Sequence, residues 1–96
     1  MGITLVHLTG HMDVPDNRMA VVQAAVVDHI ALTRAEKGCI SFKVTPCPDV
    51  KYRFLVAETF ECRAAFDAHQ IRTKASPWAK ITARLPREYS ITEGYE

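Results

Sequence analysis

The apolar residues switch repeatedly between a two-residue and a helical period, and this constrains the fold more than any single motif. Ile3 to Thr9 alternates, with Ile3, Leu5, His7 and Thr9 on one face and Thr4, Val6 and Leu8 on the other, and reads as a strand ended by Gly10. Asp13, Pro15 and Asp16 supply turn and helix-start chemistry, and Met19, Val22, Val26 and Ile30 then recur at helical spacing in a helix reaching about Lys37. Arg18, Asp28, Arg34 and Glu36 lie elsewhere on that wheel. Gly38 is placed to end the helix in a left-handed conformation.

Cys39 to Thr45 alternates again, Ile40, Phe42 and Val44 against Ser41, Lys43 and Thr45, before the turn Pro46-Cys47-Pro48-Asp49. The next strand, Tyr52 to Phe60, has Phe54, Val56, Glu58 and Phe60 on one face. A second helix starts near Glu61 and groups Cys62, Ala65, Phe66 and His69. Ser76-Pro77 opens a short helix over Trp78 to Ala83, Pro86 breaks it, and Tyr89 to Thr92 is a last β-like run. The order β-α-β-β-α-(α)-β is the split βαβ motif: an α+β, ferredoxin-like fold with an antiparallel sheet and helices on one face. The other face is expected to carry Phe42, Phe54, Val56 and Phe60. Such an apolar surface predicts a homodimer joined through its sheet faces, a dimeric α+β barrel.

With 96 residues and no internal repeat or linker, residues 1–96 are expected to form a single domain. A formal charge of +1 makes no electrostatic case for nucleic acid or an anionic membrane. No apolar run nears the roughly 20 residues of a membrane span, and the N-terminus lacks a basic leader, so a cytoplasmic location is expected. Cys39, Cys47 and Cys62 are odd in number and share no metal-ligand spacing, so they read as reduced thiols.

Lys37-Gly38-Cys39-Ile40-Ser41-Phe42, and Glu58-x-Phe60-Glu61 followed by Ala64-Ala65-Phe66-Asp67-Ala68-His69, resemble two segments of the antibiotic biosynthesis monooxygenase family, which includes quinol monooxygenases. The resemblance implies a ferredoxin-like homodimer with a pocket between sheet and helices. It also implies oxygenation of a small phenolic, quinol or enol substrate by O₂ without flavin, metal or haem. Phe60 stands where that family usually has tryptophan, so an indole N–H is missing. An isomerase of a small carbonyl compound and a non-enzymatic metabolite-binding dimer are the competing readings of the same fold.

Candidate residues follow from chemistry and placement. Glu58 on an apolar strand face needs a partner or a shifted pKa, and His69 on the apolar face of the next helix can be that partner and act as a proton relay. The bland alternative is a structural hydrogen bond between helix and sheet. His7 is a weaker catalytic candidate, to hold a phenolate oxygen, and His11 falls on the same strand face as a substrate contact. His29 reads as surface or helix packing. Phe42, Phe60, Phe66 and Trp78 can wall a flat substrate, although at least two of the four are expected to be core. Arg72, Lys74, Lys80, Arg84 and Arg87 form a stretch without acids that either steers an anion or is a solvated surface. No metal-ligand motif is present, and none of the histidines forms one with its neighbours.

Overall fold

The computed structural model describes residues 4–95, so the expected role of Ile3 lies outside the described residues. β1 (Thr4–Asp13) is followed by α1 (Asp16–Arg34), β2 (Cys39–Pro46), β3 (Arg53–Phe60), α2 (Arg63–Lys74), α3 (Pro77–Ile81) and β4 (Arg87–Tyr95). The strands form one antiparallel sheet in the order β2-β3-β1-β4, the ferredoxin-like arrangement expected.

Two boundaries moved for identifiable reasons. β1 does not stop at Gly10 but runs through it to Asp13, paired with both β3 and β4. The glycine is needed for close approach: a Cβ there would lie 2.0 Å from the Glu88 carbonyl oxygen and 2.6 Å from the Tyr89 ring. α1 ends at Arg34, earlier than expected, and Glu36 lies in the turn that follows. Gly38, at φ 90°, has the predicted positive φ. It lets this turn press on α2, since a Cβ on Gly38 would meet the Ala65 Cβ at 2.5 Å. Arg34 donates twice to the Phe42 carbonyl oxygen, at 2.9 and 3.1 Å, and ties the end of α1 to β2.

The sheet faces are assigned differently from the sequence expectation. Val6, Leu8, Val56 and Phe60 pack against Phe66 of α2, while Met12, Val14 and Phe54 pack against Val22 of α1. Phe42, Phe54, Val56 and Phe60 are all buried, so they lie under the helices and not on the uncovered face. Strict alternation in β2 also fails, because a bulge between Cys39 and Ser41 turns Ile40 outward, 57% exposed. The uncovered face instead presents His7, Thr9 and His11 of β1 beside Thr59, Ala57 and Leu55 of β3. This face is mixed, with Leu55 its large apolar group on these two strands. The large apolar patch expected on the uncovered face is not found on these two strands.

α3 has Pro77 at its first position, as expected, and ends at Ile81, short of Ala83. Ser76 does not cap it; its hydroxyl donates to the Thr73 carbonyl oxygen of α2 at 2.6 Å. β4 extends well beyond Tyr89–Thr92 because it follows β1 residue for residue from Met12 to Thr4.

Candidate active site

Glu58 projects from β3 toward the helices, between Val56 and Phe60, and is 9% exposed. Burial, and then the negative charge of Glu36, push its carboxyl group up to about 7. A carboxyl of this kind holds its proton until near-neutral pH. Its Oε1 is buried without a hydrogen-bond partner, 3.7 Å from His69 Nε2. That separation is too long for a direct hydrogen bond and short enough for a small rotation to make one.

His69 projects inward from α2 because it shares the helical face of Phe66, one turn earlier. Its ring lies 4.9 Å from Phe60 and 5.9 Å from Phe42, centroid to centroid. Nδ1 is 2.8 Å from Glu36 Oε1, and the other Glu36 oxygen accepts from Arg72 Nε. A carboxylate held by a guanidinium is an acceptor toward imidazole as well, so Nδ1 carries the hydrogen and donates. The Nε2 lone pair is thereby aimed at Glu58, with the Thr73 hydroxyl 3.4 Å away as a possible donor. Burial lowers the His69 pKa, while the charge and hydrogen bond of Glu36 partly offset that. The imidazole is therefore neutral at pH 7, with its basic nitrogen pointing at a carboxyl group.

Glu36 is the site residue that sequence reasoning missed. Extending α1 to Lys37 put it on the outer part of a wheel, whereas the turn before Gly38 swings it onto α2. The available signal was Gly38 itself, which marks the close approach. Arg72 was placed in a basic surface stretch, yet it reaches Glu36 and donates to Thr33 Oγ1 at 3.0 Å. Arg87 is likewise used structurally, donating to the carbonyl oxygens of Leu85 and Thr82. Lys74, Lys80 and Arg84 are exposed.

The remaining candidates divide. Phe42, Phe60 and Phe66 are core residues, the last two edge to face at 5.7 Å. Trp78 lines a groove of about 570 Å³ between α1 and α3, together with Val21, Leu32, Ile81, His29 and Arg72. His7 and His11 correct the expectation: they alternate with Val6, Leu8 and Met12 and so occupy the face of the sheet opposite Glu58 and His69. His7 Nδ1 lies 3.1 Å from Thr59 Oγ1, and His11 Nε2 lies 4.0 Å from Glu88. His29 is not at the surface. It is 5% exposed and stacks on Trp78 at 4.7 Å with 6° between the ring planes. Cys39, Cys47 and Cys62 are free thiols. Among the described residues no group of three His, Cys, Asp or Glu could hold a metal ion; Glu36 and Glu58 contact opposite ring nitrogens of His69.

The family model for the antibiotic biosynthesis monooxygenase matches residues 5–78, from β1 through the start of α3. The chain belongs to the antibiotic biosynthesis monooxygenase family. A solved structure from Nitrosomonas europaea that carries the same family name superposes with a TM-score of 0.77 at 21% identity, covering 98% of this chain and 92% of that one. A second with that family name, from Deinococcus radiodurans, gives 0.76 at 19% identity over 98% and 94%. A dimeric ferredoxin-like protein from an uncultured marine organism gives 0.71 at 13% identity over 96% and 95%. At these identities the structural likeness speaks for the fold, and membership rests on the sequence match. No curated protein matches the chain. Both family segments meet at the site: the turn at Gly38 carries Glu36, and the β3-α2 segment carries Glu58 and His69. No described helix is long and apolar enough to cross a membrane.

Proposed function

We propose that the chain is a cofactor-independent monooxygenase that oxidises a small phenolic, quinol or enol substrate with O₂. The observation that carries this reading is the buried His69 imidazole, kept neutral by burial and oriented by Glu36, with its basic Nε2 3.7 Å from a Glu58 carboxyl pushed up to about 7. Two neighbouring buried groups, the carboxyl raised and the imidazole lowered from their ordinary values, suit a proton relay. In the reaction, His69 Nε2 takes the acidic proton of the substrate, and Glu58 accepts or returns it. The substrate anion supplies the electrons. For an activated CH₂ group, one oxygen atom of O₂ becomes the carbonyl and the other leaves as water, so no external reductant is required. His69 and Glu58 are the catalytic residues of this reading, and Glu36 is a positioning residue.

The protein acts as a homodimer in this reading, through the sheet face that the helices leave uncovered. Leu55, 39% exposed, offers an apolar contact there, and one structural relative is described as dimeric. The test is O₂ uptake by the purified protein with a panel of anthrones, quinols and catechols, using ¹⁸O₂ to establish that one labelled atom enters the product. Turnover without O₂ uptake would replace this reading by the isomerase. Binding without turnover would leave a metabolite-binding protein.

A further inference from the structure

Arg72 uses only part of its guanidinium beside the relay. Its Nε donates to Glu36 and its Nη2 to Thr33 Oγ1 at 3.0 Å, which leaves Nη1 without an acceptor among the described residues. The indole Nε1 of Trp78 has none either, since the side-chain hydrogen bond at Trp78 runs from the Thr82 hydroxyl to its backbone carbonyl oxygen. Among the described residues the buried side-chain atoms that lack a partner are Glu58 Oε1 and His29 Nδ1. Arg72 Nη1 and Trp78 Nε1 are therefore unpartnered but not buried, and each is open to an acceptor from outside the chain.

Both residues line the groove between α1 and α3. His29 links them, because its ring stacks on Trp78 at 4.7 Å and the charge of Arg72 acts on it. At about 570 Å³ the groove has the size of a small-molecule site, and Val21, Leu32 and Ile81 give it apolar walls. Guanidinium and indole are donors with no accepting atom, so a ligand there must bring acceptors on an apolar body. A carboxylate meets that need best, since its hydrogen bonds with a guanidinium are charge-assisted. Arg72 pairs with Glu36 and not with Asp28, the exposed acid of the groove wall.

We propose that the α1-α3 groove binds an aryl carboxylate, with its ring against the apolar walls and its carboxylate accepting from Arg72 Nη1 and the Trp78 indole N–H. The indole stays on His29 throughout, and no buried atom has to be uncovered. His69 and Glu58 do not line the groove, so this is a second site, joined to the relay only through the Arg72 contact with Glu36. It does not depend on the proposed reaction.

Trp78 is the sole tryptophan, so its indole N–H resonance reports directly on one of the two donors. 2-Naphthoate and naphthalene are titrated into ¹⁵N-labelled protein at neutral pH. 2-Naphthoate should bind about three- to tenfold more tightly, move the indole N–H downfield and shift the Arg72 guanidinium signals, which naphthalene should leave in place. Trp78→Phe should reduce the preference for 2-naphthoate, with affinities read from backbone amides along the groove. Asp28→Asn, at an exposed position, should tighten 2-naphthoate about twofold and leave naphthalene unchanged, because it removes a negative charge from the wall. That variant and the unaltered protein decide the matter if Trp78→Phe does not fold. Equal affinities for the two probes, or an indole signal that 2-naphthoate does not move, would overturn the inference.

Discussion

The covered and uncovered faces of the sheet each bring a histidine to an oxygen partner, and the settings could hardly differ more. Under the helices, His69 meets Glu36 at 2.8 Å and Glu58 at 3.7 Å, with the His69 side chain 3% exposed. On the open side, His11 approaches Glu88 at 4.0 Å, where the glutamate side chain is 86% exposed. Water and salt screen the outer pair, so its worth is small whatever its geometry. Inside, the same residue types cannot shed charge to solvent, and burial raises the acid and lowers the base. Residue type supplies the titratable group, but burial makes it a tunable one.

The largest contrast to test is packing. Phe60→Ala should cost about 3–5 kcal/mol in a denaturant titration, since it empties a fully buried site beneath α2. Leu55→Ala, on the same strand but facing outward, should cost under about 1 kcal/mol in the monomer. Leu55→Arg sharpens the point: if the sheet faces pair as proposed, light scattering will report loss of the dimer while the fold persists. A monomeric parent protein would sink the dimer.

Chemistry should divide in the same way. His69→Ala is expected to lower turnover on a discovered substrate by about 10²-fold or more, whereas His7→Ala, on the far face, should leave it within about twofold. Glu36→Gln should fall between them and shift the pH-rate profile, because it keeps the shape and removes the charge that orients the imidazole. A His69→Ala enzyme of full activity, or equal losses from both histidine changes, would break the distinction between the two faces.

The pH dependence of stability offers a further cut. The folded state holds the Glu58 proton up to about 7 against an ordinary value of 4.5, so between those values the native chain binds more protons than the unfolded one and stability falls as pH rises. His29 runs the other way. Its folded value of about 4 lies below the ordinary 6.5, so the unfolded chain binds more protons in that window and stability falls as pH drops. The two contributions oppose each other between pH 4.5 and 6.5 and mask one another. Glu58→Gln should expose the histidine limb, with stability rising from pH 4.5 to 6.5 by on the order of 1–3 kcal/mol. His29→Phe should expose the opposite slope. Denaturant titrations in steps of half a pH unit check both, and parallel curves for parent and variants would show that neither group is shifted. The smallest effect belongs to the outer ion pair of Asp13 and Arg53: Asp13→Asn should cause a slight loss in melting temperature that added salt erases.

Much of the fold was legible because its signals are local. Helical and two-residue periods, the Pro77 helix start, the positive φ of Gly38 and the inward face of Phe66 and His69 are all settled within a few residues of chain. Alternation alone says that Phe54, Val56, Glu58 and Phe60 share a face. It does not say which face the helices cover, because the pattern reads the same either way. That was decided by Val22 of α1 packing on Met12 and Phe54, and Phe66 of α2 on Val6 and Phe60, contacts between residues far apart in sequence. The same long-range packing decided the site. Glu36 and His69 are 33 residues apart and meet because a short turn at Gly38 presses on α2. His29 follows Val22 and Val26 at helical spacing on the buried face of α1, and only long-range packing decided that it meets Trp78 there. Sequence by itself thus determined the elements and the family, while tertiary structure decided which side of the sheet became dry enough for a carboxyl group to keep its proton.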